Sequence, residues 1–267
     1  MTIITLTTDF GAADPFVGIM KGVIADRAPM ARVIDLTHGI PPHDVLAGAL
    51  VLRHAVPYFP HGTIHLAVVD PGVGSQRRAL CVETPGALFV GPDNGLLSLA
   101  AASGEIRRII HLTEERFFLS PRSRTFHGRD VFAPAAAHLA VGLAPERLGP
   151  PVDDPVRLHW STVREAHGTV AGTVLHVDRF GNLVTSIRAE AFESFGAVSV
   201  RIAGRALPFV GTYGELMPAQ AGALVGGSGR LEIAVREGSA AARLRARRGT
   251  PVVVSRSLPV RRVRRRP

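Results

Sequence analysis

The chain has 267 residues, 46% of them apolar and 20% charged, with one cysteine and a formal net charge of +9. That is an ordinary globular composition, long enough for one large domain or two modest ones. Cys81 alone excludes an internal disulfide; no apolar run is long enough to span a bilayer; and the opening MTIITLTTDF lacks the basic-then-apolar order of a signal peptide, so a cytoplasmic protein without a membrane partner is expected.

The positive charge invites a nucleic-acid partner, but its distribution argues against a specific one. No acidic residue follows Glu237, and ten arginines fall between Arg243 and Arg266; taking those ten from the 31 basic residues leaves 21 against 22 acidic. The body is near neutral, and residues 259–267, closing on RRVRRRP, read as a solvated basic tail.

In chain order, IITLTTD reads as a strand closing on Asp9, residues 16–27 as a helix, ARVIDLTH as a second strand, DVLAGALVLRHAVPYF as a second helix, and TIHLAVVD as a third strand ending on Asp70. Apolar strands separated by helices predict a mainly parallel sheet covered on both sides. ALCVET and ALFVGPDN form a strand pair around Pro85-Gly86, EIRRIIHL a further strand, and HGRDVFAPAAAHLAVG a helix that tolerates Pro134 only in its first turn. After residue 150 the texture changes. LGPPVDDPVRL is a proline- and acid-rich connector, and HGTVAGTVLHVD, NLVTSI, AVSVRIAG and RLEIAVRE are short β-type segments with glycine turns. The expected architecture is an α/β N-terminal domain, residues 1–150, followed by an all-β, barrel-like C-terminal domain over residues 165–258.

In an open parallel sheet, ligands bind beyond the carboxyl ends of the strands. Asp9 and Asp70 stand at two such ends. Asp9 precedes Phe10-Gly11, where a carboxylate can take the two hydroxyls of a ribose or cap the following helix; spacing alone leaves both readings open. Asp70 precedes the turn PGVGSQRR, so that with the arginines it makes either a strand-end ion pair or half of an active site. His127 stands at a helix start, a place that suits a capping residue as well as a catalytic one. The chain has neither GxGxxG nor GxxxxGK[ST] and no CxxC, and its HxxxH, His61 to His65, runs into the third strand rather than along a helix and supplies no recognisable metal pair; a cluster of Asp9, Asp70, His127 and Asp130 is the one conceivable metal set. In HVDRFGNLVTSI, Asp178, Phe180 and Asn182 occupy a turn. They either shape the bend or, with Phe180 stacking and Asn182 reading a base edge, serve a nucleoside pocket.

Taken together, TTDFG, DLTHGIPPHDVLAGA, VVDPGVGSQRR, FVGPDNG, TFHGRDVFAPAAAHLA, DRFGNLVTSI and GSGRLEIAV resemble the S-adenosyl-L-methionine hydroxide adenosyltransferases, hydrolytic relatives of the fluorinase and chlorinase. The motifs run in order over nearly the whole chain. The resemblance implies hydrolysis of S-adenosyl-L-methionine to adenosine and methionine, without cofactor or metal. It implies a homotrimer whose active sites lie at subunit interfaces. Its catalytic aspartate, arginine and histidine match Asp70, Arg77 and His127. Substrate contacts carry over to Asp9 for the ribose, Asn182 and Phe180 for adenine, Asp178 for the methionine ammonium and Ser228 for its carboxylate, with Glu232 beside them. Halogenating relatives place a tyrosine where this chain has Asp70, which favours hydrolysis over halide transfer. A non-catalytic adenosine- or S-adenosylmethionine-binding protein and a metal-dependent hydrolase are the remaining alternatives. His43 and Gly227 depart from the residues usual in the family.

Overall fold

The computed structural model describes residues 1–101, 105–158 and 163–257; the basic tail lies outside the described residues. The chain divides into two compact units, Met1–Leu158 and His159–Pro267.

The first unit alternates strands and helices: β1 (Ile3–Thr8), α1 (Phe16–Arg27), β2 (Arg32–Thr37), α2 (Val45–Ala55), β3 (Thr63–Val68), β4 (Ala79–Glu83), β5 (Ala87–Pro92), α3 (Ser98–Ala101), β6 (Arg108–His111) and α4 (Ala133–Ala140). Six strands form one sheet in the order β2-β1-β3-β5-β4-β6. β2, β1, β3 and β5 are parallel neighbours, whereas β4 runs against both β5 and β6. The sheet is therefore mainly parallel, with the expected strand pair folded back as a hairpin.

Strand order places the ligand crevice. From β1 the chain steps outward to β2, then returns across β1 to β3 on its other side. The direction of stepping reverses between β1 and β3, and a crevice opens beyond the carboxyl ends of strands at such a switch. Asp9 directly follows β1, and Asp70 lies two residues beyond β3.

Both sheet faces are buried, and the residues alternate accordingly. Ile4, Leu6, Ile64, Leu66 and Val68 join one core with Val17, Met20 and Ile24 of α1 and Ala133, Ala135 and Ala136 of α4. The intervening Thr5, Thr7 and His65 are equally buried on the opposite face. There α2 approaches so closely that a Cβ on Gly48 would lie 3.0 Å from Val69. α2 begins at an Asp44 cap whose Oδ1 accepts the Ala47 N–H at 3.0 Å. Pro134 falls in the first turn of α4, and a π-helical turn, Gly128–Phe132, leads into that helix.

His65 is a buried titratable group on this face. It is fully buried, pairs with Thr5 Oγ1 through Nδ1 at 2.8 Å and stacks on Phe89 at 5.2 Å. Burial lowers its pKa from 6.5 to about 4, so the folded chain refuses a proton that the unfolded chain accepts. Its contribution is whole above pH 6.5 and is lost as pH falls toward 4, about 3 kcal/mol at 1.36 kcal/mol per unit. Melting temperatures measured from pH 7.5 to 4.5 should therefore fall more steeply for wild type than for His65→Gln. Parallel curves would contradict the assignment.

Among the described residues the second unit is all-β apart from one short α-helix and three single 3₁₀ turns: β7 (Arg164–Ala166), β8 (Thr169–Val177), β9 (Leu183–Arg188), β10 (Val198–Ile202), β11 (Arg205–Leu207), β12 (Ala221–Val225), β13 (Arg230–Val235), α5 (Ala240–Leu244) and β14 (Pro251–Arg256). The strands run β11-β10-β14-β8-β9-β13-β12, with β7 on β8, and every one of these pairings is antiparallel. The sheet curls until its ends meet. Val210 N–H donates to Ala223 O at 2.9 Å and Ala223 N–H to Pro208 O at 2.8 Å. Register shifts at Val174/His176 and Arg230/Glu232 supply the extra bend that closure needs. Val170, Leu183, Val200, Leu231, Ile233 and Val252 fill the interior.

Candidate active site

The turn after β3 is held from several sides. Val73 N–H reaches Asp70 O at 3.2 Å, and Ser75 Oγ donates to Gly72 O at 2.7 Å. Gly74 has φ +78°, and a Cβ there would lie 2.6 Å from the Arg124 carbonyl oxygen. Only glycine fits so close to the segment that leads into His127.

This turn folds Arg77 back on Asp70. Arg77 Nε donates to Oδ1 at 3.0 Å and to Oδ2 at 3.1 Å, and Nη2 to Oδ2 at 2.6 Å. The side chains are only 5% (Asp70) and 10% (Arg77) exposed, so this is a forked, largely desolvated pair. The guanidinium also sits over the Phe132 ring, 5.3 Å from its centroid.

His127 completes the array: Arg77 Nη2 lies 2.8 Å from its Nδ1. Guanidinium nitrogen donates and never accepts, so Nδ1 is the acceptor, and the neutral ring carries its proton on Nε2. Burial and then the Arg77 charge hold the His127 pKa below the usual 6.5, against the opposing pull of Asp70. The ring is thus neutral at pH 7, and it stands at the mouth of the π-helical turn, a distortion that often marks a functional position.

Asp9 caps no helix. α1 begins after Pro15 without a side-chain cap, and Asp9 Oδ2 instead accepts the His43 N–H at 2.8 Å. Phe10, Phe16 and Phe126 meet edge to face beside these residues, with centroids 5.2–6.1 Å apart. Asp130 is drawn into structure, taking Arg129 Nε at 2.5 Å and Ser123 N–H at 2.7 Å. The conceivable metal set therefore does not form, and among the described residues no three His, Cys, Asp or Glu side chains gather as a metal would require.

In the second unit, Asp178 organises the turn between β8 and β9. Its Oδ1 accepts Phe180 N–H at 2.9 Å and Asn182 N–H at 2.8 Å, and its Oδ2 accepts Asn182 Nδ2 at 3.1 Å. Asn182 is buried, whereas Phe180 is 77% exposed and offers a bare ring face. Ser228 lies half-buried on the turn joining β12 to β13. Glu232 is buried on β13 and accepts the Tyr213 hydroxyl at 2.5 Å. Burial pushes the Glu232 carboxyl up, the Tyr213 bond pulls it back, and the charge of Asp178 adds to the rise. Sequence reasoning missed Tyr213; the signal available was its rarity, one of two tyrosines in the chain. It also gave no role to Asn94, whose Nδ2 donates to Val69 O at 2.7 Å.

Comparison with known proteins identifies the family. Residues 4–149 match the model of the SAM hydroxide adenosyltransferase N-terminal domain, and residues 172–253 that of the corresponding C-terminal domain. The (R)-S-adenosyl-L-methionine hydrolase of Thermus thermophilus is 43% identical over 92% of this chain and 96% of its own. That of Salinispora tropica is 45% identical over 89% and 92%. A fluorinase of an Actinoplanes species is 23% identical over 73% of this chain and 74% of its own. Among solved structures, a Thermotoga maritima protein superposes with a TM-score of 0.88 at 34% identity, covering 94% of this chain and 99% of that one. The chain thus belongs to the SAM hydroxide adenosyltransferase family.

Proposed function

We infer that this chain is a hydrolase that cleaves S-adenosyl-L-methionine to adenosine and L-methionine. The observation that carries the reading is the Asp70–Arg77–His127 array, a largely desolvated ion pair bonded to a half-buried imidazole, beyond β3, where the stepping direction switches. Family membership supports it, as do the relatives named (R)-S-adenosyl-L-methionine hydrolase at 39–45% identity.

The chemistry follows from the array. Water oxygen bonds to C5′ of the substrate while the C5′–sulfonium bond breaks, its electron pair neutralising sulfur as methionine leaves. A neutral thioether needs no general acid. The water must lose a proton as it attacks, and Asp70 accepts it, a role worth ~10²–10⁴-fold. Arg77 fixes the carboxylate by its fork, and its Nη2 links carboxylate to imidazole. With Nδ1 so engaged, His127 offers Nε2–H and serves as a donor that orients the water, rather than as its base.

Asp9 would hold the ribose hydroxyls, Asn182 and Phe180 the adenine, Asp178 the methionine ammonium, and Ser228 its carboxylate, with Glu232 shaping that pocket. The family resemblance further supports a homotrimer with active sites at subunit interfaces, working without a cofactor, and the lone Cys81 and the N-terminal sequence support a cytoplasmic setting. No helix among the described residues is long and apolar enough to cross a membrane. The relatives' names specify the R configuration at sulfur, and we assign the same preference here. Purified protein given each sulfur epimer should release adenosine and methionine in equal amounts, faster from the R form. Formation of 5′-halogenated adenosine in excess halide, or no product from either epimer, would overturn the reading.

A further inference from the structure

We propose that Asp93 and Asn94, with Arg78, are positioning residues that clamp the Asp70–Arg77 pair. The inference rests on the catalytic reading of that pair and names what holds it in register.

The two halves of the pair adjoin different strands, the end of β3 and the start of β4, and a forked ion pair tolerates little slippage. The two residues that follow β5 grip a neighbour of each. Asn94 Nδ2 donates to Val69 O at 2.7 Å, the carbonyl just before Asp70. Its Oδ1 accepts Leu96 N–H at 3.1 Å, which fixes the amide orientation. Asp93 holds Arg78, the residue just after Arg77. Its N–H donates to Arg78 O at 2.9 Å, and its Oδ2 accepts Arg78 Nε at 2.8 Å and Nη2 at 2.7 Å.

The grip is braced from outside. Asp93 Oδ1 takes Val156 N–H at 2.8 Å. Arg78 Nη1 and Nη2 reach the Asp154 carboxylate and carbonyl at 2.5 and 2.7 Å. The Asp93 side chain is only 4% exposed, so its charge is committed to these partners. Arg77 Nη1 also reaches Arg78 O at 3.4 Å, so that one carbonyl receives both the clamp and the catalytic guanidinium. Consecutive residues of one turn thereby set the spacing between proton acceptor and arginine.

The test uses full-length Asn94→Ala and Arg78→Gln, with Arg78→Lys as the conservative variant. Displacing a catalytic group by about 1 Å can cost ~10²-fold, so kcat per folded molecule should fall ~10–100-fold in the first two, with KM little changed and Arg78→Lys between them and wild type. A second readout does not depend on turnover. The charges bearing on His127 are those of Arg77, Asp70, Arg122 and Asp130, and Arg78 is not among them. If Arg77 slips, the His127 titration midpoint, followed by NMR of ring-labelled histidine and identified by its absence in His127→Gln, should rise toward its ordinary value. A variant that melts earlier yet keeps wild-type kcat and an unmoved His127 midpoint would reduce the clamp to simple scaffolding and overturn the proposal. Should Asp70→Asn turn over normally, the catalytic reading fails instead, and the midpoint alone decides whether the clamp positions Arg77.

Discussion

Asp70→Asn is expected to lower turnover by ~10²–10⁴-fold, about 3–5 kcal/mol of barrier at 1.36 kcal/mol per decade. Asparagine keeps the shape and still accepts one bond from Arg77, but it has no basicity at any accessible pH. The attacking water then loses its proton acceptor while its position is nearly preserved. KM should change little, because the groups assigned to ribose, adenine and methionine lie elsewhere. The bland alternative makes Asp70–Arg77 a strand-end ion pair. It predicts a lower melting temperature with normal turnover by whatever remains folded. Melting temperature and kcat measured on the same preparation separate the two, and early melting with an undiminished rate per folded molecule sinks the catalytic assignment.

Arg77→Met should damage both stability and rate. It leaves the Asp70 carboxylate, 5% exposed, without its counter-charge; removing one partner of a buried pair costs ~3–5 kcal/mol. Rate falls as well, because the fork that orients Asp70 and the bond to His127 Nδ1 vanish together. The pH–rate profile carries the distinguishing sign. Arg77 is one of the causes that hold the His127 pKa below 6.5. Without that cation the imidazole protonates at higher pH, and a second positive charge then faces a cationic substrate. The acid limb of kcat/KM should therefore move to higher pH in the variant. An acid limb that stays in place would show that the ionisation of His127 does not govern the rate.

Much of the first unit was legible because its signals are local. The helix over 16–27 coincides with α1, since apolar side chains recur along it and no proline interrupts it. β3 reads directly as a buried run, all six of its residues inside. The second unit was read less completely. β12 and β14 went unnoticed: AGALV is too short and small-residued to signal a strand, and PVVVSR lies among arginines that drew attention to charge. Barrel closure depends on a pairing that has no local mark, namely Pro208 and Val210 against Ala223.

The site shows the same division. Asp70 and Arg77 are seven residues apart across a glycine turn, so their pairing could be suspected from sequence. His127 is 50 residues from Arg77, and spacing gave no means of choosing between helix cap and catalytic partner; the family resemblance did. Which ring nitrogen carries the proton needed the geometry. Asn94 was quoted within FVGPDNG, but its partner carbonyl lies 25 residues away, beyond the reach of periodicity or spacing. Tyr213 acquires meaning only once Glu232 is placed against it.

The central claim is that water held by the Asp70–Arg77–His127 array attacks C5′ of the substrate. Its most direct test is turnover of S-adenosyl-L-methionine in ¹⁸O-water with both products analysed by mass. The account predicts one ¹⁸O per adenosine, at the 5′ oxygen, and unlabelled methionine, with label incorporation slowed in Asp70→Asn in proportion to kcat. Adenosine without label, or label incorporated into Asp70→Asn product at the wild-type rate, would contradict it.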